Sequence, residues 1–286
     1  MKVAILGVGA MGKWFVKFVV ENGWDVTVMD KVSSKAETVA GELGAQAAKS
    51  EADAVKDADI VIVAVPISKT PAVLTSVSQH MNKGALLMDL ASVKGDVVDA
   101  MGGLKAELEL VSLHPLFGPG AASVDGKDFV AVPVRPGERY SEFKRLLTNL
   151  GANVVEMDAA EHDQLMAMTQ ALTHFVLISY VTALRSTRGL KNAEKLRLPM
   201  FSSLLDLGKS ILAGNADVYG EIQVLNKYAR ISRRAMLEAC RSLDVALEAG
   251  DTKALKQIFD KAQALWKAEE VEEAYRKLYE SIEGEV

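Results

Sequence analysis

The chain has 286 residues, 49% of them apolar and 25% charged, the make-up of a soluble globular protein with apolar surface enough for one large core or two ordinary ones. A formal net charge of −5 gives no electrostatic ground for binding nucleic acid or an anionic membrane, and neither partner is expected. The single Cys240 has no internal disulfide partner, and the start carries neither a basic, apolar leader nor a membrane span, so the reading is a cytoplasmic protein.

Short β-branched runs alternate with helical patterns through the first half. The runs are Lys2–Leu6, Asp25–Met29, Ile60–Val65, Ala85–Asp89, Glu109–Leu113, Phe129–Val134 and Asn153–Met157. Being apolar throughout rather than alternating, they predict strands buried on both faces of a mostly parallel sheet, with helices between them. From about Ala159 the strand signals stop and only helical periodicity continues. Pro199 is expected to open a helix and Gly214 to close it, and Gly250-Asp251 to turn between two later helices. The expected architecture is α/β: a Rossmann-type sheet domain over 1–157, then an all-helical domain over 158–286.

Gly7-Val8-Gly9-Ala10-Met11-Gly12 follows the first run directly and opens a helical pattern over Met11–Glu21. Glycine is needed for the tight turn, for backbone amides to approach a pyrophosphate, and for close helix–strand packing. Alone the motif is weak. Its context is stronger, because the second run ends in Asp30, eighteen residues after Gly12, where a carboxylate can accept from ribose hydroxyls. Asp30 would repel a 2′-phosphate, so NAD is the favoured cofactor. Lys31, Ser33 and Ser34 keep NADP as the alternative. Val65-Pro66, at the end of the third run, faces the cofactor or is an ordinary loop.

Four histidines remain to be weighed. His80, near a helix C-terminus, reads as a solvated side chain. His162, in Glu161-His162-Asp163 at the start of a long helix, reads equally as a cap or as a site residue. His114 follows a strand and precedes Pro115-Leu116-Phe117-Gly118-Pro119-Gly120, at the sheet edge where open α/β folds bind ligands. Ser92, twenty-two residues earlier in Asp89-Leu90-Ala91-Ser92-Val93-Lys94, lies on a parallel loop where its hydroxyl can orient the imidazole. A histidine base of this kind, unperturbed, titrates near ~6.5. His174 shares a helical stripe with Asp163, Ala167 and Gln170 on the apolar pattern Ala160–Leu184, and a polar stripe there needs partners such as a bound substrate. Arg230, Arg233 and Arg234 form a basic cluster suited to a carboxylate or to solvent. No metal cluster, nucleophile elbow or Walker lysine is present in the sequence.

With these residues in place the chain resembles the prephenate/arogenate dehydrogenase family over nearly its full length. The resemblance rests on Leu87–Lys94 with its D-x-x-S-V-K pattern, on L-H-P-L-F-G-P at Leu113–Pro119, and on E-H-D-Q-L-M-A-M-T-Q-A-L-T-H-F at Glu161–Phe175. It implies a Rossmann domain and a helical dimerisation domain, a homodimer, and oxidative decarboxylation of prephenate to 4-hydroxyphenylpyruvate in tyrosine biosynthesis. A fused chorismate mutase domain is not expected, since the glycine motif begins at residue 7. His114 with Ser92 would then be catalytic, and Gln170, His174 and Arg230 would hold the substrate. One departure stands out. The resemblance places a carboxylate-binding arginine shortly after Tyr219-Gly220-Glu221-Ile222-Gln223, where this chain has Tyr228, so Arg230 would act from nearby. Arogenate in place of prephenate, a β-hydroxyacid dehydrogenase and a non-catalytic NAD sensor are the other readings. The second is weakened by His174 standing where such enzymes carry a lysine.

Overall fold

The computed structural model describes residues 1–196 and 198–283. Eight strands form one sheet in the order β3-β2-β1-β4-β5-β6-β7-β8. They are β1 Lys2–Leu6, β2 Asp25–Met29, β3 Gln46–Ala47, β4 Ile60–Val63, β5 Leu86–Asp89, β6 Glu109–Pro115, β7 Asp128–Arg135 and β8 Asn153–Glu156. Every pairing is parallel except β6 with β7, so the sheet is mostly parallel, as expected. β1 and β4 are buried almost end to end because helices cover both faces, which is why their sequences do not alternate. The core is built on Val3, Ile5, Phe15, Ile62, Met88 and Phe129.

Strand ends differ from the sequence reading by one or two residues from β4 to β8, most at β4 and β6, and one strand, β3, is added. β4 stops at Val63, two residues early, although the Ala64 amide still donates to the carbonyl of Leu6 in β1. β6 runs on through Pro115, so His114 lies inside the strand, opposite Val130, rather than after it. β3 was not expected; two exposed residues carry no periodicity that could announce it.

The contacts divide the chain into two compact units, Met1–Met166 with Val224–Lys227, and Ala167–Gln223 with the residues from Tyr228 onward. The sequence placed the division near 157. The nine residues Asp158–Met166 that lie between belong with the sheet, because His162 and Asp163 are tied to β6 and to the loop after β5.

Among its described residues the second unit holds helices joined by turns and no strand. Pro199 opens one helix, Pro199–Leu212, and Asp251 caps another, Thr252–Gln263, accepting from the amides of Lys253 and Ala254. The long apolar helix is continuous but not uniform. An α-helix at Ala159–Met166 passes through a π-helical stretch at Ala167–Leu172 into another at Thr173–Ser186. By length and composition these 28 residues would also pass as a membrane span. Many large apolar side chains of this unit are exposed, among them Leu212 at 66%, Phe259 at 66%, Trp266 at 58% and Ile231 at 67%.

Candidate active site

The glycine loop is shaped by contacts that exclude side chains. Gly7 has φ +91°, and a Cβ there would lie 2.5 Å from the carbonyl oxygen of Ala64. A Cβ on Gly12 would lie 2.0 Å from the carbonyl oxygen of Gly7. Gly9 caps the helix α1, Ala10–Glu21, without any side-chain hydrogen bond, and a Cβ there would meet nothing within 4 Å. The first turn of α1, which Ala10 begins, thus starts beside a Gly9 with open space at its Cβ position, at the positive end of a helix. Val65 abuts this loop, its Cγ1 lying 3.0 Å from where a Gly7 Cβ would be, and Pro66 follows it, exposed.

Asp30 is half-buried at the end of β2. One carboxylate oxygen accepts from the amide of Val8, inside the glycine loop, at 3.0 Å; the other accepts from Val32 at 3.0 Å. Each oxygen keeps a further lone pair, so the group can still accept from a ribose hydroxyl.

His114 is 3% exposed. Its Nδ1 lies 2.9 Å from Nε2 of His162, whose Nδ1 lies 2.8 Å from Oδ1 of Asp163. The same Oδ1 accepts from the Lys94 amide at 2.8 Å, and Oδ2 accepts from the Gly95 amide at 3.0 Å, at the start of the helix Gly95–Gly102. Asp163 thus ties the helix Ala159–Met166 to the loop after β5. Lys94 is wholly buried; its Nζ donates to the carbonyl of Leu113 at 2.9 Å and lies 3.6 Å from Asp89. Burial, then the Lys94 and His162 neighbours, push the pKa of His114 well below the ordinary histidine value. The value near ~6.5 expected for an unperturbed base therefore moves down. Burial also lowers His162, against the opposing pull of Asp163.

The loop after β6 is pinned to α1. Trp14 Nε1 donates to the carbonyl of Ala121 at 2.7 Å, and Phe117 packs edge-on against both Trp14 and Phe129. The chain after His114 is thereby fastened to the helix that carries the glycine loop.

Ser92 is half-buried in the loop after β5, while the group bonded to the His114 ring is His162. From sequence His162 stands equally as a cap or as a site residue; the structure makes it the partner of His114. His80 is exposed.

In the helical unit, His174 packs edge-on against Tyr219 with ring centroids 4.6 Å apart, and its Nδ1 is buried without a hydrogen-bond partner. Gln170 Oε1 is likewise buried and unpartnered. The π-helical stretch breaks the even α-helical spacing assumed for the stripe. Asp163 is committed to Lys94 and Gly95, while Gln170 and His174 are left with unmet polar atoms. Among the arginines, Arg233 donates through Nη1 to the carbonyl and to Oε1 of Gln223, at 2.7 and 2.9 Å, and Gln223 donates to the carbonyl of Ala171 in the π stretch. Arg230 is exposed. No group of three or more His, Cys, Asp or Glu is arranged to hold a metal among the described residues.

Two family models match the chain in succession: the prephenate dehydrogenase nucleotide-binding domain over residues 15–156 and the prephenate dehydrogenase dimerization domain over residues 158–261. A probable arogenate/prephenate dehydrogenase of Methanocaldococcus jannaschii is 28% identical over 94% of this chain, which spans 61% of that protein's length. A 4-amino-4-deoxyprephenate dehydrogenase of Streptomyces pristinaespiralis is 30% identical over 90% of this chain and 88% of its own. The crystal structure of prephenate dehydrogenase from A. aeolicus with hydroxyphenyl propionate and NAD+ superposes with a TM-score of 0.71 at 21% identity, covering 93% of this chain and 98% of that one. The chain belongs to the prephenate dehydrogenase family of NAD-dependent oxidoreductases, with its nucleotide-binding domain followed by its dimerization domain.

Proposed function

We propose that this protein oxidises prephenate, taking a hydride from the ring carbon that bears the hydroxyl and releasing 4-hydroxyphenylpyruvate and carbon dioxide. The observation that carries the reading is His114, a buried imidazole kept neutral at the end of β6 with one ring nitrogen already engaged. A neutral imidazole can accept the substrate's hydroxyl proton as the hydride departs. The bound nicotinamide would supply the hydride acceptor. Loss of the ring carboxylate then leaves its electron pair in the ring, which becomes aromatic with a phenolate oxygen. The proton held by His114 returns to that oxygen, so the imidazole ends neutral again.

The glycine loop and Asp30 would hold the cofactor, with Gly7, Gly9, Ala10, Met11 and Gly12 cradling the diphosphate and Val65 and Pro66 lying alongside. Asp30 favours NAD over NADP by charge. Ser92 would contact the substrate hydroxyl beside His114. Gln170 and His174, each with a buried polar atom in need of a partner, and Arg230, whose guanidinium is not bonded to Gln223 as that of Arg233 is, would hold the carboxylates and side chain of the substrate. The dimerization domain and its exposed apolar side chains support a homodimer, and we place the protein in the cytoplasm.

One relative is named for arogenate and prephenate and the other for 4-amino-4-deoxyprephenate; arogenate carries an amine on the side chain and 4-amino-4-deoxyprephenate one on the ring. All three molecules lose a hydride from the same ring carbon. Steady-state rates with prephenate, arogenate and 4-amino-4-deoxyprephenate, each with NAD and NADP, test the assignment. Prephenate with NAD should give the highest kcat/KM. Tight NAD binding with no turnover of any of the three would mark a cofactor sensor instead.

A further inference from the structure

Asp163 and His162 play no part in the steps above, yet both are buried and both belong to the cluster around His114. Their chemistry leaves one way to place the hydrogens. A carboxylate can only accept, so His162 Nδ1, 2.8 Å from Asp163 Oδ1, must carry a hydrogen. A neutral imidazole has a single N–H, which leaves His162 Nε2 as a bare acceptor. His114 Nδ1, 2.9 Å from it, must then be the donor, and Nε2 of His114 is left bare.

We infer that Asp163, acting through His162, is a positioning pair that locks His114 in the Nδ1–H tautomer and so presents a bare Nε2 as the proton acceptor. The inference rests on the reading of His114 as the base. Both rings are held neutral by burial, which satisfies the one-hydrogen condition. Burial works to raise the pKa of Asp163, but bonds from His162, Lys94 and Gly95 outweigh it and keep the group ionised. The charged groups facing the pair are Asp89, Lys94 and Asp163, which sum to one negative charge. When the substrate O–H breaks and an N–H forms at His114 Nε2, the new positive charge brings that sum to zero. The cluster is thus arranged for an imidazolium that exists only during the reaction.

The test is 15N nuclear magnetic resonance of the imidazole nitrogens in the whole chain without ligands, where four histidines allow assignment by single substitution. His114 should show a protonated Nδ1 and a bare Nε2, and His162 a protonated Nδ1. In His162→Phe, which offers no acceptor, His114 should revert to the Nε2–H form preferred by a free histidine side chain, and kcat should fall at least about tenfold with KM for NAD unchanged. A wild-type His114 protonated at Nε2 overturns the inference, and that spectrum decides the matter even if the variant fails to fold. A tautomer switch in His162→Phe with kcat intact overturns it as well. If the wild-type tautomer is as stated but His114→Asn retains full activity, the base assignment fails while the hydrogen placement stands.

Discussion

Lys94 directs a fully buried ammonium at the carbonyl of Leu113, 2.9 Å away, so that a positive charge sits beside the residue preceding His114. This charge opposes protonation of the imidazole, and burial lowers the pKa of Lys94 itself even as Asp89 and Asp163 pull it back up.

Replacing Lys94 by Met should therefore do two things. It leaves Asp89 buried without its counter-ion, and breaking a buried pair in this way costs about 3–5 kcal/mol, readable in a urea melt. It also removes a charge that lowers the pKa of His114, so that pKa should rise. In the wild type, kcat/KM should stay level as pH falls through neutrality and drop only well below the ordinary histidine value; in Lys94→Met the drop should begin at higher pH. Acid limbs at the same pH would show that Lys94 does not act on His114.

Much of the fold was legible in the sequence, and the misses have physical causes. β1 and β2 run as their apolar runs predict, and the glycine motif sits where the strand–turn–helix pattern requires. The π-helical stretch at Ala167–Leu172 was not legible, because its residues suit an α-helix equally and only tertiary contacts, such as the bond from Gln223 to Ala171, select it. The bond between His114 and His162 joins residues 48 apart in sequence. No local pattern encodes such a pairing, and so Ser92, on a neighbouring loop, was expected to orient the ring.

Asp30→Ala should weaken NAD more than NADP. It removes an acceptor for the ribose and a charge that repels a 2′-phosphate, and it frees the Val8 amide that helps fix the glycine loop. Isothermal titration with both cofactors checks this. A wild-type protein that already prefers NADP tenfold would refute the role given to Asp30.

The helical unit exposes Leu212, Phe259 and Trp266, more apolar side chain than a lone copy in water readily tolerates. Light scattering at micromolar concentration should report a homodimer, and Phe259→Glu with Trp266→Glu should shift it towards monomer. A wild-type monomer would refute the assembly.

His174→Ala and Arg230→Ala should each raise KM for prephenate more than they lower kcat, the signature of lost ground-state binding. An unchanged KM in Arg230→Ala would move the carboxylate anchor to another residue.

The central claim is that His114 takes the hydroxyl proton, and the most direct measurement is kcat of His114→Asn with saturating prephenate and NAD. Asparagine keeps a polar group of similar size, so both ligands should still bind, while kcat falls by about 10²–10⁴, the range for loss of a general base. Ser92→Ala should cost less, since it leaves the imidazole and its bond to His162 in place. A His114→Asn protein that keeps more than about a tenth of wild-type kcat would contradict the account, because that is well above the general-base range.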